Sequence, residues 1–578
     1  MASLPKLSSE SCGRVSAPCS RKVRLLSAGY LACIVTAVPT GAAGGSIPCL
    51  QDDVIAEVCV CHVDHCDTVA EMGRMSDDIL VYYQTSQGGT ERLTRYSVDI
   101  SQASIALDEL DREATGWEVA VDIGEQYQEI VGFGGALTDA AAINVHSLDA
   151  GVQAMLLESY YGDTGIRYTL GRVPMASCDF STHVYSYAEV QEDMALEHFS
   201  IEVDFDSSST GAKLPFIKDV QSKVRSRRVA NSLTLFASPW APPAWMTVEN
   251  RTTGNPHLRD ECREPWAKYF SKFLTAYRSV GVDIWAVTAE NEPNGNLGTW
   301  QALKFTPQTH MEFIRDFLGP TLRKDHPKVK IMMHDDQRAY LPSWTAATLG
   351  GNNSATEFVD GIGVHWYASL NDKVVWITRP FDKMKATHEK FPDKFILATE
   401  ACAGYLPLID QGPSPGSWSR AELYAFDILN DLNSWAVGWT DWNIALDMQG
   451  GPNWARNFVD SPILVDAARQ RFLKNPMFYA LGHFSRFIVP GSRRIKVTST
   501  APAGQAPIEA TAFITPDKLI VCVVLNRGGR DRHFVFRNGA RSKSLMVPAH
   551  SMQTIIVTAD LSSMRSSFRR KIFAEIWQ

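Results

Sequence analysis

Three acidic residues are placed where they could do chemistry. Glu290 and Glu292 lie in the stretch TAENEP, directly after the apolar run IWAV (284–287), and Glu400 closes the run FILATE. A carboxyl group at the end of a buried-looking strand is at the edge of a core, where it can meet a small molecule. Two carboxylates facing each other across one cavity suit glycoside hydrolysis. One gives its proton to the leaving oxygen and the other attacks the anomeric carbon; a separation of about 5–5.5 Å leads to retention through a covalent glycosyl-enzyme. Successive side chains of a strand point to opposite faces, so Glu290 and Glu292 could share a direction, and the alternation does not choose between them. An aspartic dyad would need its acids in hydrogen-bond contact, which nothing in this spacing imposes. Metal-assisted hydrolysis would need a cluster of ligands. His334, Asp335 and Asp336 could begin one, but no HExxH or comparable spacing follows, so neither a metal nor a cofactor is expected.

The elements that must position these acids recur along the chain. Eight apolar runs each end in polar or aromatic residues: 129–139, 167–180, 233–240, 284–293, 329–336, 359–367, 394–402 and 436–443. Amphipathic stretches separate most of them. In one, Trp266, Tyr269, Phe270, Phe273, Leu274 and Tyr277 recur at spacings of three and four, the signature of a single helix face. Thr306-Pro307 reads as a cap followed by a first-turn proline, and Ser419-Arg-Ala-Glu422 reads as a capping box. Eight strand-then-helix units predict an α/β fold, a parallel (β/α)8 TIM barrel, whose strands are buried on both faces and whose chemistry lies at their carboxyl ends. Glu290 and Glu292 would then close the fourth strand and Glu400 the seventh. An aldolase or enolase would need a Schiff-base lysine or metal ligands at those ends, and none of the eight runs ends in lysine.

Outside this pattern the chain is rich in β signals. RIKVTST, EATAFIT, KLIVCVVLN, RHFVF and TIIVTA follow the barrel and LTRYSVDI precedes it, which predicts a flanking β-sandwich built from both sides. The expected divisions are a signal-peptide region at 1–45, a small disulfide-bearing β segment with sandwich strands at 46–127, the barrel at 128–487, further sandwich strands at 488–560 and a basic tail at 561–578. The first segment combines Arg14, Arg21, Lys22 and Arg24 with the apolar run LLSAGYLACIVTAV and the small residues of PTGAAGGS, which together describe a secretory signal. Of 11 cysteines, Cys49, Cys59, Cys61 and Cys66 fall just beyond it and predict two disulfides, for which Cys49–Cys59 with Cys61–Cys66 is one of three pairings. Cys178, Cys262, Cys402 and Cys522 are scattered and read as free thiols. Asn250 and Asn352 stand in glycosylation sequons. A net charge of −8 gives no electrostatic support for nucleic acid as a partner. The 15 tryptophans include Trp240 and Trp442 at strand ends among polar neighbours, where flat faces could meet a sugar, whereas Trp245, Trp285 and Trp435 read as core. Asp139 reads as the cap of the helix after the first run.

GFGGALTDAAAIN, RVPMASCDF, SPWAPPAW, AVTAENEP, HWY, TEAC, GWTDWN and GGPNWARNFVDSP, in this order, resemble glycoside hydrolase family 30 over residues 46 to 558. The resemblance implies a retaining β-glucosidase that hydrolyses the β-glucosyl bond of glucosylceramide by double displacement. Glu292 would be its acid/base and Glu400 its nucleophile. In the substrate-binding set it implies, Asn291 would meet the sugar 2-hydroxyl, and Asp179, Trp240, Trp442 and Asn457 the other hydroxyls. Arg172, His365 and Tyr367 would hold the charge and orientation of the nucleophile. It further implies a glycolipid substrate presented at a membrane surface, a saposin-like activator protein as partner, and a lysosomal or extracellular location. Family members also cleave β-xylosides and β-1,6-glucans, and the proline-rich segment 405–417 after Glu400 departs from the family pattern where the aglycone would enter. The alternative from another class is a non-catalytic glycolipid-binding protein, which would have no need of an acid–nucleophile pair.

Overall fold

The computed structural model describes residues 46–101, 116–228, 232–367 and 379–560; the expected signal region and basic tail lie outside the described residues. Eight strands close into a barrel: β1 (Gly132–Ala136), β2 (Leu170–Met175), β3 (Thr234–Pro239), β4 (Ala286–Thr288), β5 (Lys330–Gln337), β6 (Gly361–His365), β7 (Phe395–Glu400) and β8 (Ala436–Asn443). Every neighbouring pair is parallel, and β8 pairs with β1 to complete the ring. Seven of the eight apolar runs contain one of these strands whole, and β5 extends one residue, Gln337, beyond the fifth run. Leu170, Phe236, Ala286, Met332, Leu397 and Val437, one each from β2, β3, β4, β5, β7 and β8, pack as one buried cluster, as expected for strands with no solvated face. The GFGG run serves close strand approach: a Cβ on Gly134 would meet the Leu170 carbonyl oxygen at 1.7 Å.

The helices follow the patterning with two exceptions, both at caps. Helix Arg263–Ser279 buries all six residues of its predicted face. Thr306 caps helix Pro307–Phe313 in a capping box completed by Thr309. The predicted box at Ser419 does not form. The helix begins at Trp418 with Ser417 at the cap, and Glu422 accepts instead from the Trp418 indole at 2.9 Å. Asp139 is likewise not a cap. Thr138 accepts from the Ala141 amide, while Asp139, one position inside the helix, forms a fully buried ion pair with Lys213 at 3.2 Å. A chain of buried ionic contacts also ties helix Trp418–Asn433 to the barrel: Arg338, just after β5, reaches both Asp427 and Asp431.

Strands from both flanks share one nine-stranded sheet, in which Glu118–Glu129 lies beside Arg493–Thr500, and Ile79–Ser86 beside Ser551–Thr558. Leu80, Val119, Ile123, Phe534, Phe536 and Val557 belong to its own core. The amino-terminal segment carries the disulfides Cys49–Cys59 and Cys61–Cys66, and its strand Cys59–His62 pairs antiparallel with Arg471–Lys474. Cys178, Cys262, Cys402 and Cys522 are free and buried.

Candidate active site

The carboxyl ends of the barrel strands enclose a cavity of about 400 Å³. Eight of the ten residues singled out above line it: Asp179, Trp240, Asn291, Glu292, Tyr367, Glu400, Trp442 and Asn457. A carboxylate oxygen of Glu292, one of Glu400 and a ring nitrogen of His365 all lie within 4.8 Å of one another. Backbone geometry separates Glu292 from Glu290. After β4 the chain turns, with Glu292 in the left-handed region at φ 49°, and its amide donates to the Asp335 carbonyl at 2.9 Å. This turn delivers Glu292 to the cavity and leaves Glu290 fully buried, with neither carboxyl oxygen bonded to a described residue. Burial, with the nearby Asp335 charge, raises the Glu290 pKa well above the carboxylate range and keeps it neutral. A non-glycine residue at positive φ is strain held by its surroundings, and Asp335, at φ 48°, shares it.

Glu400 is held by donors on both oxygens. The Arg172 guanidinium bonds one, and the Tyr367 hydroxyl donates to the other at 2.8 Å. Burial, with the neighbouring Cys402 and Glu400, raises the Tyr367 pKa far above its usual value, so it remains a phenol able to donate. Arg172 is itself buried. It bonds Asp335 at 2.9 Å, and its guanidinium carbon lies 4.9 Å from the Trp240 ring and 5.4 Å from that of Trp442. The two indoles stack at 5.1 Å with their planes 14° apart. Arg172 also donates to Asn291 Oδ1 at 2.8 Å. Since a guanidinium has only donors, this contact fixes the amide and turns the Asn291 NH2 group away from Arg172.

His365 differs from its expected place. It does not bond the nucleophile candidate: Nδ1 lies 3.2 Å from Glu292 Oε1 and Nε2 lies 3.1 Å from Asp335 Oδ1. Burial opposes its charge, but Glu400, Asp335 and Glu292 outweigh it and hold the imidazolium pKa up at about 10. Both ring nitrogens therefore donate. Gln337 Nε2 also donates to Glu292 Oε1, at 2.9 Å. With two donors on Oε1, a transferable proton belongs on Oε2. Neither Arg172 nor His365 lines the cavity, so both act from behind the carboxylates rather than on a substrate. The Asp335 of the suspected metal cluster is instead the shared anchor of Arg172 and His365, whose charges, against its own burial, hold its carboxyl far below the usual range.

Asp179 accepts from Asn457 at 3.3 Å. Burial, then the Glu400 charge, raises its pKa to about 7. Asp336, beside Glu292, is raised to about 7 in the same way.

Residues 130–488 match the model of the glycosyl hydrolase family 30 TIM-barrel domain, and residues 491–555 that of the family 30 beta sandwich domain. The chain belongs to glycosyl hydrolase family 30. The family 30 hydrolase is 39% identical to the lysosomal acid glucosylceramidase of Mus musculus over 496 residues, which cover 84% of this chain and 91% of that one. It is 26% identical to an endo-1,6-beta-D-glucanase of Neurospora crassa, over 78% of this chain and 88% of that one. Among solved structures it is similar to SrfJ from Salmonella typhimurium, with a TM-score of 0.72, 26% identity, and coverage of 83% of this chain and all of that one.

Several residues of this family 30 site carry no signal in the sequence: Gln337 enters from the end of β5, Tyr340 from the turn after it and Trp300 from the loop after β4. Asp336, weighed above as a metal ligand, lines the cavity beside Gln337. The run VKIMMHDD points at the end of β5, but nothing in it shows which polar residue turns inward. The segment after Glu400 folds into a hairpin, Tyr405–Leu406 against Asp410–Gln411, and Tyr405, Leu406 and Pro407 form an apolar side of the mouth.

Proposed function

We propose that this family 30 enzyme hydrolyses the β-glucosyl bond of glucosylceramide with retention, using Glu400 as nucleophile and Glu292 as acid/base. The observation that carries this reading is the pair of carboxylates within 4.8 Å in one cavity, close to the roughly 5–5.5 Å of a double-displacement pair. In the first step a Glu400 oxygen bonds the anomeric carbon as the bond from that carbon to the ceramide oxygen breaks, and the Glu292 proton passes to the departing oxygen. In the second, Glu292 takes a proton from water, the water oxygen bonds the anomeric carbon, and Glu400 leaves as a carboxylate. Arg172 and Tyr367 stabilise Glu400 in its charged states, before attack and on release. His365 and Gln337 keep Oε1 of Glu292 occupied, so that Oε2 carries the proton. The indole faces of Trp240 and Trp442 and the fixed Asn291 amide would seat the glucose, Asn291 toward the 2-hydroxyl. The apolar hairpin side of the mouth suits a lipid aglycone presented at a membrane surface, where a saposin-like activator would assist. Two disulfides near the amino terminus and the exposed sequons Asn250 and Asn352 support a secretory-pathway location, lysosomal or extracellular.

Turnover of glucosylceramide, a β-xyloside and gentiobiose under one set of conditions tests the substrate. The reading requires the lipid to have the highest kcat/KM; preference for gentiobiose would move the enzyme to the 1,6-glucanase reading, and absence of all turnover would leave a binding protein.

A further inference from the structure

A second cavity, of about 320 Å³, lies between helix Trp418–Asn433 and the sandwich strands. Arg494 lines it and is only 8% exposed. Its Nε donates to Gln128 at 2.9 Å, and its guanidinium carbon sits 3.7 Å from the centroid of the Tyr127 ring. The other cations around it each have a carboxylate: Arg493 pairs with Glu129, Lys496 with Glu125, and Arg527 with Glu509. Arg494 forms no ion pair among the described residues, and neither of its terminal amino groups has a hydrogen-bond partner there. Burial pulls its pKa down to about 10, against the weaker opposing influence of Tyr127 and Glu125. A buried charge with no partner costs several kcal/mol and is retained only where something offsets it.

We infer that this interdomain cavity binds a small phosphate monoester. The planar guanidinium fork suits a phosphate in bidentate contact. Arg494 brings the one uncompensated charge: Lys496 is paired with Glu125, and the one acid in the lining, Glu509, is engaged through both oxygens by Arg527. This balance suits an anion. The site is separate from the catalytic cavity and shares no lining residue with it.

Calorimetric titration with glycerol 3-phosphate at constant ionic strength tests the site, with glycerol and potassium chloride as controls. Saturable binding is expected with the phosphate ester alone. Arg494→Met should weaken it by about tenfold or more, the effect of losing hydrogen bonds to a charged group. Lys496→Met, at a side chain 47% exposed, should weaken it severalfold in a protein that folds normally. Both variants should keep the wild-type rate on an aryl β-glucoside, so that a failure here is distinct from a failure of the catalytic reading. No saturable heat with the ester, equal heat with chloride, binding found only with vesicles of an anionic phospholipid, or affinity unchanged in Lys496→Met would each overturn the inference.

Discussion

At the scale of single residues the site divides its carboxyl groups by environment. Glu400 is ringed by donors, Glu292 has one oxygen occupied and one left for a proton, and Glu290, two residues away, is sealed and neutral. Glu400→Gln should remove turnover by on the order of 10⁴-fold or more without unfolding the protein, because it removes the carboxylate that Arg172 and Tyr367 hold at the cavity; steady-state rates with a circular-dichroism control check this. Glu292→Gln should cost roughly 10²–10⁴-fold on a substrate whose leaving group needs protonation. With an activated aryl glucoside it should still release one equivalent of phenol in a burst. Asp179 adds a pH signature. Its folded pKa of about 7 lies above its ordinary 3.8, so the native state holds its proton more tightly than the unfolded chain does. Stability is therefore lost as pH rises from about 4 to 7, by about 1.4 kcal/mol for each pH unit crossed between those two values. Asp179→Asn should unfold at a higher denaturant concentration than wild type at pH 7 and at nearly the same one at pH 4; an equal difference at both values would contradict the assignment. Much of this scale is legible in the sequence, because strand-end acids and tryptophans carry their own signal. The choice between Glu290 and Glu292 is not, since it depends on a positive-φ turn that period-two reasoning does not contain. Gln337 and the true partner of His365 are hidden for a similar reason: a polar residue at a strand end does not announce the direction of its side chain.

At the scale of elements, the eight apolar runs are readable because parallel strands buried on both faces need continuous hydrophobicity. The capping box expected at Ser419 fails because Glu422 has a better local donor in the Trp418 indole, and the helix starts earlier than the motif suggests. Two polar residues at the right spacing do not cap when one of them is already engaged. Helix Trp418–Asn433 is fastened instead by Arg338, gripped by two buried aspartates. Arg338→Met would leave Asp427 and Asp431 facing each other without their cation. A loss of about 3–5 kcal/mol is expected, visible as a lower denaturant midpoint. Because Asp427 also accepts from Trp439 on β8, two residues before Asp441 and three before Trp442, loosened glucose binding should accompany it as a raised KM.

At the scale of the whole molecule, barrel and sandwich do not follow one another as separate beads. Three strands that precede the barrel and six that follow it share one sheet, so the chain enters the sandwich, leaves it to build the barrel and returns. The flanking β signals point to this, and two further strands carry the same kind of signal: Val119, Val121 and Ile123 alternate inward in Glu118–Glu129, and Ile79–Ser86 opens on the apolar run ILVYY. Ending the chain at residue 487 should therefore yield an insoluble product rather than a free barrel, since Glu118–Glu129 and Ile79–Ser86 would lose their partners; a soluble, active fragment would show the two parts to be independent. The account as a whole stands on Glu400 forming a bond to the sugar while Glu292 moves a proton. Peptide mass spectrometry after reaction with a cyclitol epoxide, which traps the attacking group, reads this directly. The adduct should sit on Glu400 alone, and an adduct on Glu290 or Glu292, with Glu400 unmodified, would contradict it.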